Sequence, residues 1–512
     1  MSYLTQPFDV LSIVILFSTL LVGTYLFKIY THPLRNVPGP FLAKFTNARF
    51  LYYAWNGNLH LDHVQCHARY GCLSCSDQEA WRTNTILGPV YRCAPNRVVF
   101  NSLTAANAIY SNDRRIRKSD GYTSHPWTRQ ETPSLFNCVD PVWANRKKKT
   151  LRPATSQPAL ELHQESVNEN VETLAAMFKD GQQQDLSEIG FHYALDVISQ
   201  SVFGENFKTL QDPTNRWMTA SLERGNRHMY LQLAWPTLFH ILGLFIRVEV
   251  LSYPEFFKES KMFLDLCERC IVQGSAKMKS SILQLMKAEL PEEVSDDELR
   301  VDAYSFMRGG GDMVAVTIAA TFFYIRQNPQ ILQKLQHEIR TTFGSQTPTS
   351  SPKLDSCTYL RACVDEALRM APPGPGVFWR TSSSHHVIDG IALPPGTEFG
   401  VCIYALHYNN TMFNEPETYK PERMIKTDTA EVSAREGLIS FLRGFRACPA
   451  QKLAYATILL PIARLVWEFD LDAGEPASAS EMTPQHTKVF PQVDVFGSNI
   501  SGPVISFNAK HE

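Results

Sequence analysis

Hydrophobic and polar positions divide this chain unevenly. From Val10 to Phe27 the residues are apolar apart from Ser12, Ser18, Thr19, Gly23 and Thr24, and adding Ile29 and Tyr30 brings the run to bilayer-spanning length. The run predicts a membrane helix. A cleaved signal peptide is the alternative, but the positive charges Lys28 and Arg35 follow the apolar stretch instead of preceding it, and no small-residue cleavage site is evident. The positive-inside rule then places the body of the protein in the cytosol. Pro33, Pro38 and Pro40 come next, a spacing no helix continues through. Residues 31–40 are therefore expected to form a stiff elbow between an anchor at 1–30 and a large domain at 41–512.

Within that domain Val90-Tyr91-Arg92 and Arg97-Val98-Val99-Phe100 flank Pro95-Asn96 as two strands joined by a turn, and most of the later pattern is helical. Leu231 to Ile246 is apolar but broken by Gln232, Pro236 and His240, and is too short to span a bilayer. A lid and an ordinary core helix fit it equally. Tyr304 to Ile325 predicts a long apolar helix holding Gly309-Gly310-Gly311-Asp312. Each mid-helix Gly costs about 1 kcal/mol relative to Ala, so something must need the space. A phosphate-binding loop does not fit, because no Gly-Lys-Ser/Thr follows. Leu453 to Trp467 reads as another helix.

Composition narrows the class. Hydrophobic residues make up 44% and charged residues 20%, enough for an extensive core, and a formal net charge of −2 implies no nucleic-acid partner. No Gly/Ser-rich, Pro-rich or charge-block linker divides the chain after residue 40, which favours one large domain. The eleven cysteines are odd in number and scattered, unlike a secreted disulfide framework. Cys72-x-x-Cys75 and Cys267-x-x-Cys270 have the spacing of metal half-sites but lie too far apart in sequence for a zinc ribbon, so chance or helical neighbours accounts for them better.

The candidate chemistry converges on Phe441-Leu442-Arg443-Gly444-Phe445-Arg446-Ala447-Cys448-Pro449-Ala450. A cysteine thiolate can serve as the axial ligand of a haem iron and push electron density toward O–O cleavage. Gly444 permits a tight turn and close backbone approach to a porphyrin, Arg446 suits a haem propionate, and Phe441 can shield the sulfur from water. Cys448 is expected just before the positive end of the following helix, which stabilises a thiolate.

With this loop the chain resembles the cytochrome P450 family of haem-thiolate monooxygenases, whose loop usually carries Gly where Ala450 stands. The resemblance implies a mostly α fold with a small β-sheet region, haem b bound through Cys448, and electrons from NADPH delivered by a separate NADPH-cytochrome P450 reductase. It also implies insertion of one atom of O2 into a lipophilic small molecule, at the endoplasmic reticulum membrane. Glu366-Ala-Leu-Arg369 followed by Pro421-Glu422-Arg423 matches the order of the family's Glu-x-x-Arg and Pro-Glu-Arg segments, so Glu366, Arg369 and Arg423 are the expected buried network. By the same resemblance Arg380, Trp143 and Lys147 face propionates. Val377, Phe378 and the stretch Val493 to Ile500 line a substrate pocket resembling those of filamentous-fungal members, and Leu231 to Ile246 covers a substrate channel. The small residues around Gly310 make room for O2.

Two departures stand out. Residues 72–88 occupy a place where family members run straight from Tyr-Gly to Pro-Val, which leaves a surface loop and a translated intron as alternatives. Asp312 is followed by Met313 where the family has Thr, and a thioether cannot donate a hydrogen bond. Thr317, one turn on, is the expected partial substitute. The alternative reading is a haem-thiolate protein that binds or rearranges its ligand without activating O2. Asn409-Asn-Thr411 and Asn499-Ile-Ser501 match the glycosylation pattern, which a cytosolic domain leaves unmodified.

Overall fold

The structure is a computed structural model that describes residues 10–70, 89–124, 132–245, 254–273, 281–289, 295–350, 352–425, 434–471 and 488–509. The insert expected at 72–88, with its Cys-x-x-Cys pair, lies outside them. The helices that build and flank the site are α1 (Val10–Tyr30), α2 (Leu59–Tyr70), α3 (Pro141–Thr150), α4 (Leu186–Phe203), α5 (Trp217–Ala234), α6 (Pro236–Phe245), α7 (Asp296–Gln327), α8 (Thr358–Met370) and α9 (Gln451–Glu468). The strands are β1 (Val90–Ala94), β2 (Arg97–Phe100), β3 (Ile116–Lys118), β4 (Arg380–Ser382) and β5 (Glu398–Val401), with β6 (Gln492–Val495) and β7 (Gly497–Ile500) apart from them.

Helix α7 is the axis of the fold, and its start is strongly specified. Ser295 caps it by accepting the Glu298 N–H, Glu298 reaches back to the Ser295 N–H, and Asp296, Asp297 and Glu298 place negative charge at the positive end. The helix continues without a break through Gly309, Gly310 and Gly311. A Cβ at Gly310 would lie 1.9 Å from the Ile198 side chain of α4, and one at Gly311 would touch Leu195 and Phe191. Gly310 and Gly311 thus allow close packing of α4 against α7, while a Cβ at Gly309 would meet nothing within 4 Å. The backbone cost of glycine is offset by dispersion between the two helices. Tyr193 and Val197 of α4, Ile318 and Phe322 of α7, Val364 of α8 and Ile462 of α9 form the centre of the largest core cluster.

The predicted hairpin is present, with Val90 opposite Phe100, and its β2 runs parallel to β5. The sheet order is β1-β2-β5-β4-β3. Segment 31–40 lies against this sheet. Leu34 is fully buried, and the Pro38 carbonyl accepts the Arg92 N–H of β1 at 2.7 Å. Among the described residues no helix is long and apolar enough to cross a membrane. The chain is helical across the predicted run, as α1.

The apolar stretch from Leu231 splits in two. Leu231, Leu233 and Ala234 end α5 in the core, and Pro236 then opens α6, which leaves Ile241 exposed. Asn409 is buried and donates to the Asn101 carbonyl at 3.0 Å, while Asn499 donates to Glu223, so both sequon amides are engaged.

Candidate active site

The loop before α9 presents a thiol. Gly444 has φ +61°, in the left-handed region, and a Cβ there would lie 2.5 Å from the Ser111 and Tyr110 carbonyl groups. Phe445 N–H donates to the Ser111 carbonyl at 3.2 Å, and the loop turns back so that Cys448 N–H donates to the Phe441 carbonyl at 2.8 Å. The Phe441 ring packs 5.2 Å from Tyr455 of α9. Cys448 is accessible, whereas the other described cysteines are buried. Yet protein surrounds it closely enough that burial pushes its pKa up, with the Ala450 N–H pulling it down. The helix end therefore offsets burial only in part.

Three cations gather here, and among the charges beside them the Asp140 carboxylate favours the charged form of Arg446. Lys118 ends β3, Arg380 begins β4, and the antiparallel register sets them directly opposite each other, where like charges repel. Burial first, then the charges of Arg380 and Arg446, holds the Lys118 pKa well below the usual lysine range. Burial also lowers that of Arg446, with Arg380 adding to the effect. Lys118 donates to the Phe136 carbonyl at 2.6 Å, Arg380 to the Phe378 and Trp379 carbonyls at 3.2 and 3.1 Å, and Arg446 to the Val139 carbonyl at 3.3 Å. Arg380 Nη2 and Arg446 Nη1 are buried with no partner. Lys118 carries no motif and is invisible until the strands are paired.

The basic run of α3 corrects one expectation. Lys147 is fully buried, but its Nζ lies 2.9 Å from Asp302 and 3.4 Å from Glu298, both on α7. Those two carboxylates, not a propionate, balance its charge. Arg146 forms a further salt bridge to Glu298, and its guanidinium lies 5.0 Å from the ring centroid of Trp143, which stays partly exposed.

The Glu-Arg-Arg network is assembled as the motif order suggested. Arg369 Nε and Nη2 donate to Glu366 at 2.9 and 2.8 Å, and Arg423 Nε donates to Glu366 Oε1 at 3.0 Å. Glu366 and Arg369 are fully buried. Arg369 also donates to the His407 carbonyl, and His407 Nδ1 lies 2.9 Å from the Arg369 carbonyl. Burial, then Arg369, lowers the His407 pKa to about 3. The ring is therefore neutral, donates through Nδ1, and accepts the Ile439 N–H at Nε2, 3.2 Å away. Ser440 Oγ donates to the Leu368 carbonyl at 3.0 Å. Through His407 and Ser440, which no motif marks, α8 fixes the chain immediately before Phe441.

On the α7 wall Asp312 Oδ2 accepts from Asn226 Nδ2 at 2.6 Å, and Oδ1 accepts the Met313 N–H at 2.9 Å. Burial, against the nearby Arg308, raises the Asp312 pKa to about 6. Met313 is half-buried. Thr317 Oγ1 donates to the Met313 carbonyl at 2.9 Å, so its proton is already committed to the helix backbone. Of the expected pocket residues, Phe378 is half-buried, with its ring 5.4 Å from Phe496 at the β6–β7 turn. Val377 is 5% exposed, and its Cγ1 would lie 2.4 Å from a Cβ at Gly400. It packs in the core cluster around Phe50 and Trp379.

Comparison with known proteins agrees with this geometry. Residues 78–491 match the family described as Cytochrome P450. The chain is 28% identical to cytochrome P450 monooxygenase AKT7 of Alternaria alternata, covering 88% of this chain and 86% of that protein. It is also 28% identical to cytochrome P450 monooxygenase poxM of Penicillium oxalicum (89% and 88% covered) and 29% identical to cytochrome P450 monooxygenase cpaH of Aspergillus oryzae (92% and 89%). An accessible cysteine in the family's loop, the assembled Glu-Arg-Arg network and a match over most of its length lead to one conclusion: the chain belongs to the cytochrome P450 family of monooxygenases.

Proposed function

We propose that this monooxygenase inserts one atom of O2 into a lipophilic small molecule of fungal secondary metabolism, with electrons from NADPH supplied by a membrane-bound NADPH-cytochrome P450 reductase. The observation that carries the reading is the pairing of an accessible Cys448 with the buried Lys118 and Arg380 and the half-buried Arg446, the two arginines each having a buried N–H group without a partner. A haem, with an iron that takes a thiolate and two carboxylates that take cations, fits both. Cys448 would hold the iron, and Arg380, Arg446 and Lys118 the propionates, with Trp143 a further contact. Bound there, the haem supplies O2 activation and oxygen transfer.

The protein's own part is to place groups and manage protons. Gly444 and the Cys448-to-Phe441 hydrogen bond fix the sulfur, and the Ala450 N–H tempers it. Asp312, with a pKa near 6, can hold and release a proton at its carboxyl around neutrality. Met313 cannot donate, and Thr317 has spent its proton on a carbonyl. Those two facts favour the second reading, a haem-thiolate protein that rearranges its ligand without consuming O2. Turnover under 18O2 with reductase, NADPH and a panel of terpenoids, aromatics and fatty acids separates the two. One labelled oxygen in the product is the result expected, and product formed without label or O2 uptake decides for the second.

Met313→Thr should raise product formed per NADPH, and Asp312→Asn should lower kcat by roughly 10- to 100-fold, the low end of a positioned proton transfer. No gain in coupling by the Thr variant, in an enzyme already well coupled, would show that protons arrive by another route.

We also infer a single-pass anchor in the endoplasmic reticulum membrane, with the catalytic domain in the cytosol. Its support is the uncharged run from Val10 to Phe27 and the exposure of Ile15, Leu20, Val22 and Phe27 on α1, a helix about 30 Å long. Deleting residues 1–30 should release the protein from membranes with its haem content unchanged. Persistent membrane association of the truncated chain would assign binding to another surface.

A further inference from the structure

Helix α5 carries Glu223, Asn226 and Tyr230, spaced i, i+3 and i+7 along one face. Each reaches a polar group on a different part of the opposite wall. Glu223 accepts from Asn499 of β7, Asn226 donates to Asp312 of α7 at 2.6 Å, and the Tyr230 hydroxyl donates to Asp494 of β6 at 2.7 Å. These elements meet at the hairpin turn. A Cβ at Gly497 would lie 2.7 Å from Asp312 Oδ2 and 3.3 Å from both Asn226 Nδ2 and the Met313 methyl. Any side chain there would push α5 and α7 off the hairpin.

We propose that Glu223, Asn226 and Tyr230 are positioning residues that clasp α5 to α7 and the β6–β7 hairpin, and that ionisation of Asp312 and Asp494 loosens the clasp and lets α5 lift from α7 and the hairpin. The clasp stands on the contacts alone, while its bearing on ligand entry rests on the site reading given above.

The surroundings of the two acids set the sign. Asp494 is 0% exposed and faces Tyr230 of α5, His60 of α2 with Nδ1 at 3.9 Å, Cys402, and the Phe496 N–H at 3.2 Å. Burial lowers the His60 pKa to about 3, so it is neutral, and burial raises that of Asp494 to about 7. Asp312 faces Asn226, its neighbour's N–H and Arg308, whose Nε donates to Asn226 Oδ1 at 2.8 Å. Glu223, beside Arg224 and Arg227, is also raised by burial. In an opened state each carboxyl returns to about 4. Between that value and its pKa in the closed state the open form binds fewer protons, so rising pH favours opening, and the effect saturates above about pH 7–8. The clasp is tightest in mild acid.

Amide hydrogen exchange on the full-length, haem-loaded protein tests this, after correction for the intrinsic pH dependence of exchange. Protection of peptides spanning 217–234 and 492–500 should fall by about tenfold or more from roughly pH 5.5 to 8.5, while peptides from α9 stay constant. Asp494→Asn, which keeps an acceptor for Tyr230, should remove most of the slope, and Tyr230→Phe should lower protection at every pH. A flat wild-type profile, or an unchanged slope in Asp494→Asn, overturns the proposal. The expected profile in a protein whose haem is not bound by Cys448 would keep the clasp and sink the site reading.

Discussion

Cys448→Ser should purify with little or no haem and with no detectable monooxygenase turnover, while its helical circular dichroism matches wild type. A serine hydroxyl is a poor donor to iron and stays protonated at any working pH, so the substitution removes the axial ligand without changing the volume much. The loop itself does not depend on the sulfur. Its shape comes from the left-handed Gly444 and from the backbone bonds of Phe445 to Ser111 and residue 448 to Phe441, all of which a serine leaves intact. Haem per chain, measured as the pyridine haemochrome, reads the effect directly. A fully haem-loaded, active serine variant would remove Cys448 from its role.

Glu366→Ala should fail to yield a stable haem-loaded chain. The substitution leaves Arg369 fully buried and Arg423 nearly so, with no carboxylate between them, and breaking a buried ion pair from one side costs about 3–5 kcal/mol. Against a total stability of about 5–15 kcal/mol for a folded domain, that is a large share. The damage reaches the haem loop because Arg369 and His407 hold each other, and His407 holds Ile439. Glu366→Gln keeps part of the hydrogen bonding and should fall between the two. Thermal melting and haem yield measure the series, and a wild-type melting point for Glu366→Ala would mean the network is not what holds the loop.

What could be read in advance follows a physical division. The cysteine loop was legible because its chemistry sits within a few consecutive residues, and Glu366, Arg369 and Arg423 because their order along the chain is itself a signal. Long-range register was not legible. Lys118 is a cation of the site only because β3 pairs with β4 and sets it opposite Arg380. Lys147 was expected at a propionate by resemblance to the family, and nothing in its own helix shows what that side chain meets. Asp302 and Glu298, far along the chain, decide it. The glycines of α7 signalled that space is needed there, but not that Ile198 of α4 takes up the space at Gly310. Asp494 and Tyr230 gave no motif at all, since a buried carboxyl held by a phenol depends wholly on how α5 lies over the β6–β7 hairpin.

The account stands or falls on the sulfur of Cys448 as the iron's ligand, and one spectrum tests it most directly. The full-length chain, purified with haem, reduced and exposed to carbon monoxide, should give the strongly red-shifted Soret band of a thiolate-ligated haem, and Cys448→Ser should not. A wild-type band at the position typical of histidine-ligated haem, or one unchanged in the serine variant, would contradict it.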